Sequence, residues 1–66
     1  MKKRLKEVQN VKPGDTLKVN GYIYEVDAVI INHGPQTVVL EMWLWARPTK
    51  RITLTFNDST FPVTVR

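Results

Sequence analysis

Cysteine is absent from the 66 residues, so disulfides, thiolate metal sites, thiol catalysis and iron–sulfur clusters are all closed to this chain. The same absence fits a reducing compartment. Histidine occurs once, at His33, which excludes a structural zinc site of the usual kind. No apolar run is long enough to cross a membrane, and the basic N-terminus is not followed by the apolar stretch and small-residue cleavage site of a secretory signal. A soluble, cytoplasmic protein without membrane contact is therefore expected. Glu25, Asp27 and Glu41 are accompanied by no nucleophile, second histidine or metal set, so the expectation is a non-enzymatic protein with no cofactor and no metal.

A chain of this length is one domain, and it buries only about 60% of the surface that its unfolded form exposes. Its charge is unevenly placed. Lys2, Lys3, Arg4 and Lys6 stand against Glu7 in the first seven residues, leaving +1 of the total +4 for the rest. Residues 1–10 are accordingly read as a basic arm or short helix, or an extended lead-in strand, and residues 11–66 as the folded body. Such an arm can search polyanions by counterion release, although short basic ends also serve as solubilising tails.

From Asp15 onward the pattern is β. Asn20-Gly21 predicts a two-residue type I′ hairpin turn, which sets Val19 opposite Tyr22 and Leu17 opposite Tyr24 on an inner face. Val26, Ala28 and Ile30 are expected to continue that face, with Lys18, Ile23, Glu25 and Asp27 on the reverse. The segment Asn32-His33-Gly34-Pro35-Gln36 predicts the next turn, with Gly34 able to supply a positive φ. The following strand, 37–46, is apolar on both faces. Val38, Leu40, Met42, Leu44 and Ala46 point one way; Thr37, Val39, Glu41, Trp43 and Trp45 point the other. A third turn is expected at Arg47-Pro48-Thr49-Lys50. Arg51–Phe56 then alternates with Ile52, Leu54 and Phe56 inward, and a turn over 57–60 leads to a last strand in which Pro62 suits a start or an edge. Five short antiparallel strands with tight turns predict an all-β fold, a small five-stranded SH3-like partly open barrel preceded by a short basic segment.

The run from Val11-Lys12-Pro13-Gly14-Asp15 through Asn20-Gly21-Tyr22-Ile23-Tyr24-Glu25-Val26 resembles the opening of SH3-like modules of the translation-protein and KOW-like type, including the N-terminal domain of elongation factor P. In such modules a Pro-Gly-Asp turn, a short strand, a Gly turn and a Tyr-x-Val strand follow one another. The resemblance covers most of residues 11–56 and implies the fold. It does not imply the translation role, because His33-Gly34-Pro35 stands where elongation factor P carries its modified lysine.

Two functions follow from the residues. The first is nucleic-acid binding, single-stranded or structured. Lys2, Lys3, Arg4, Lys6, Arg47, Lys50 and Arg51 would contact phosphates, and Trp43 or Trp45 would stack on a base, an interaction of about 1–3 kcal/mol per base. The alternative is a protein-interaction or structural module, which would suit a small phage or mobile-element protein. In that reading the Trp43/Trp45 face or an edge strand engages a protein partner or makes a homodimer. The tryptophans can equally pack against Leu5 and Val8 of the N-terminal segment. Tyr24 is expected to fill the core, and Tyr22, beside the tight turn, to be the more exposed of the two tyrosines. Glu25, Asp27 and Glu41 are read as solvated partners of Lys18 and Arg51, and His33 as a turn residue.

Overall fold

The computed structural model of the chain describes residues 4–66; Lys2 and Lys3, expected in the basic arm, lie outside the described residues. The fold is all-β. Its strands are β1 (Arg4–Glu7), β2 (Thr16–Val19), β3 (Tyr22–Asn32), β4 (Thr37–Leu44), β5 (Arg47–Phe56) and β6 (Pro62–Val65), with a 3-10 turn at Val8–Asn10. They form one antiparallel sheet in the order β1-β6-β2-β3-β4-β5. Residues 4–7 thus take the extended alternative and bring the strand count to six rather than five. Strand β1 lies against β6, with Leu5 opposite Thr64 and Lys6 opposite Val63.

Local sequence explains the turns. Asn20 and Gly21 both take positive φ, 51° and 86°, and Val19 pairs with Tyr22 as a type I′ turn requires. Lys12-Pro13-Gly14-Asp15 closes through Asp15 N–H to Lys12 C=O at 3.0 Å, with Gly14 at φ 96°. Proline in the second position and a positive φ in the third make this a type II turn. In the turn over 33–36 it is Gln36, at φ 50°, and not Gly34 that takes the left-handed conformation. Pro62 begins β6, an interior strand between β1 and β2, and so does not mark an edge.

Two irregularities correct the sequence-based register. Val26 faces Met42 but Ala28 faces Glu41, so Asp27 is the extra residue of a β-bulge. Past that point the faces exchange. Val29 and Ile31 lie opposite Leu40 and Val38, while Ala28 and Ile30, expected inward, share the outer face with Glu41 and Val39. In the next hairpin Leu44 pairs with Arg47 and Trp43 with Arg51. The tight turn is therefore Trp45-Ala46, and Pro48–Lys50, expected as the turn, bulge out of β5 where Pro48 has no N–H to offer.

One sheet supplies both walls of the core. Val38, Leu40 and Met42 on β4 have no exposed surface, and Val26 retains 1%. Burial that complete requires the sheet to curl over its own apolar face. Val8 and Val11 close one end, tied down by Val8 N–H to Phe61 C=O at 2.8 Å and Gln9 N–H to Ser59 C=O at 3.0 Å. The curl does not become a closed barrel. Strand β5 pairs with β4 alone, and its other edge faces β2 and β6 across an apolar groove of about 410 Å³.

Asp15 joins the N-terminal strand to the Pro-Gly turn. Its carboxylate accepts from Lys12 N–H at 3.0 Å and from Lys6 Nζ at 3.1 Å. Partial burial pushes this carboxyl upward, but the Lys12 amide, the Lys6 ammonium and the charge of Arg4 outweigh it and hold the pKa below the ordinary carboxylate value. A depressed folded-state pKa gives stability that is present above the unfolded value, about 4, and lost as pH falls through that value toward the folded one. Asp15→Asn is expected to lose about 1 kcal/mol at neutral pH. Urea unfolding at a series of pH values checks this: the two proteins should converge as the pH falls below about 4.

Candidate binding surfaces

The outer face of β3 and β4 carries the tryptophans. Glu25 stands directly opposite Trp43, and the Trp45 indole N–H donates to Glu25 Oε1 at 3.4 Å, so both rings flank one carboxylate. Arg51, opposite Trp43 on β5, donates to the Asp27 carboxylate. Glu41 lies two residues along the same face. The aromatic–basic platform expected from sequence therefore has its nearest cation paired and three carboxylates around it. Trp45 is 46% exposed and Trp43 half-buried, with Ile30 and Val39 extending the apolar stripe. Nor do Leu5 and Val8 cover them: β1 lies at the opposite edge of the sheet, Val8 is in the core and Leu5 is exposed.

Arg47 and Lys50 are on the other side. With Tyr22, Tyr24, Leu44 and Ala46 they line a cleft of about 340 Å³ that contains two cations and no carboxylate. Tyr24 is buried at 7% exposure and Tyr22, beside the type I′ turn, is 58% exposed. The chain thus divides what the sequence interleaves. Trp43, Trp45 and Arg51 share a face with acids, whereas Arg47 and Lys50 meet a tyrosine instead. Arg4 is exposed on β1, and Lys6 is held by Asp15. No group of three or more histidine, aspartate or glutamate side chains is arranged to hold a metal ion among the described residues.

The third surface is the open seam. Leu54 and Phe56 of β5 face Val19 of β2 and Val63 of β6, and the Phe61 ring stacks at a tilt on Phe56 with centroids 5.4 Å apart. Lys18 and Arg66 stand at its rim. Beside the groove runs the free edge of β5, where alternate N–H and C=O groups point away from β4. Sequence reading identified the alternation of β5 but not that its outer edge is open; which strands terminate a sheet is decided by long-range pairing.

No protein-family model matches the chain, and no curated protein or solved structure gives a significant match. No helix among the described residues is long and apolar enough to cross a membrane.

The placement of the two indoles has a direct optical consequence. A Trp43→Phe variant, which leaves Trp45 as sole emitter, should show red-shifted fluorescence readily quenched by acrylamide, and Trp45→Phe should show bluer, less quenchable emission. Because about half of the Trp45 side chain is covered and its indole N–H is bonded to Glu25, Trp45→Ala should lower unfolding stability by about 1 kcal/mol.

Proposed function

We propose that this chain is a small non-enzymatic protein-interaction module that works by strand pairing at its open sheet edge. The observation that carries this reading is the β5 edge itself. It is ten residues long, unpaired on one side and bordered by an apolar groove, while the opposite edge, β1, has four residues of which Arg4, Lys6 and Glu7 are charged. Proteins commonly blunt sheet edges with charge, proline or short length. Strand β5 has such devices only in its first half, Arg47 to Arg51; Ile52-Thr53-Leu54-Thr55-Phe56 has none. An extended segment added there would satisfy the outward backbone groups and cover Leu54 and Phe56. The acidic setting of Trp43 and Trp45 also favours a protein over a polyanion on that face.

Nucleic-acid binding is the second reading, and it is favoured by the Tyr22–Arg47–Lys50 cleft. A base could stack on the exposed Tyr22 ring while the two cations meet phosphates. The two readings differ in place and in salt response. In amide-resolved NMR titrations, peptides of alternating threonine and apolar residues should perturb Ile52–Phe56 and the seam, with little change between low and high salt. A saturable response to a single-stranded oligonucleotide confined to Tyr22, Arg47 and Lys50 and abolished by salt, with β5 silent to every peptide, would replace the first reading by the second.

A further inference from the structure

We infer that the partner of the β5 edge is a second copy of this chain, paired antiparallel about a two-fold axis through Leu54. This rests on the strand-pairing reading and adds the identity of the partner. The observation is the order of residues around Leu54 in the regular part of β5: Ile52-Thr53-Leu54-Thr55-Phe56. Placing Leu54 opposite its own mate sets Thr53 opposite Thr55 and Ile52 opposite Phe56, each pair formed twice by symmetry. Both pairs are chemically matched. Threonine meets threonine on the outer face, and β-branched Ile52 meets aromatic Phe56 on the inner one.

Other registers lose this match. Moving the axis to Ile52 puts Lys50 opposite Leu54 and Pro48 opposite Phe56; moving it to Phe56 puts Leu54 opposite Asp58. Shifts by an odd number of residues between the strands would set the Thr53/Thr55 face against the Ile52/Leu54/Phe56 face. The symmetry of Ile52-Thr53-Leu54-Thr55-Phe56 about Leu54 therefore selects one alignment. Ile52, Leu54 and Phe56 are each only partly buried in the single chain and packed against the margin of the core, so pairing would cover side chains that the fold leaves half open. The assembly also closes. Each copy has one such edge, and the outer limits of the joined sheet are two charged β1 strands, which resist further addition.

The test uses the full chain in sedimentation equilibrium. Wild type should approach twice its 7.7 kDa mass at high concentration and return to 7.7 kDa on dilution. Thr53 and Thr55 are exposed on the outer face, so a Thr53→Lys/Thr55→Lys variant and a Thr53→Glu/Thr55→Glu variant should keep the fold, checked by circular dichroism. Each variant sets like charges opposite one another across the axis, and its self-association should weaken at least about tenfold. An equimolar mixture should recover the dimer, because lysine then faces glutamate. Wild type that stays at 7.7 kDa at every concentration, or two variants that self-associate as wild type does, would overturn the inference. A monomeric wild type whose β5 still binds extended peptides would overturn self-pairing alone, whereas a β5 edge that engages neither would remove the strand-pairing reading with it.

Discussion

A single sheet with one apolar face must bury that face against itself, and the remaining features of this fold follow from that requirement. No helix and no second sheet is present among the described residues to cover Val38, Leu40 and Met42. The strands have to bend, and the two bulges, at Asp27 and at Pro48–Lys50, lie in the long strands that turn the corners. Curling from β1 to β5 encloses the core but leaves the last strand short of the first ones, with the seam as the unclosed remainder. The same economy explains the short N-terminal segment: Val8 and Val11 stop one end of the core that the sheet cannot reach.

The bends also separate charge. The protein is basic as a whole, yet the outer face of β3 and β4 gathers Glu25, Asp27 and Glu41, and Arg51 is engaged by one of them. An exposed ion pair of this kind adds little stability, less than about 1 kcal/mol, but it removes a cation from the surface available to a phosphate. Arg47, paired with Leu44, and Lys50, within the second bulge, join Tyr22 on the inner side. Net charge therefore describes no single face here. What distinguishes the β5 edge is its backbone, a row of unsatisfied donors and acceptors beside half-covered apolar side chains.

Local chemistry made much of this fold legible from sequence. Asn20-Gly21 and Pro13-Gly14-Asp15 each define a turn by φ preference, and the alternation of residues 51–56 identifies a half-buried strand. The misplacements have a common cause. Ala28-Val29-Ile30-Ile31 is apolar at every position, so no alternation there reveals the register, and the bulge at Asp27 is set by pairing with β4. Likewise Arg47-Pro48-Thr49-Lys50 has turn chemistry, but Trp45-Ala46 makes the tight turn and the proline serves a bulge. Both displacements matter for the site, because each moves side chains to the other face. The sequence interleaving of Trp43, Trp45, Arg47, Lys50 and Arg51 was real in one dimension and dissolved by the Trp45-Ala46 turn and the bulge that follows it.

Strand β5 has an open edge, and the proposal is that another strand completes it. Amide hydrogen exchange along Ile52–Phe56, followed against protein concentration, distinguishes a free edge from a paired one. At high dilution the outward-pointing amides should exchange rapidly while those bonded to β4 are protected, and protection of the outward set should rise as the protein is concentrated. Uniform protection at every dilution would mean that the edge is already closed within the chain, and unchanged rapid exchange at all concentrations would mean that no strand of a second copy pairs there.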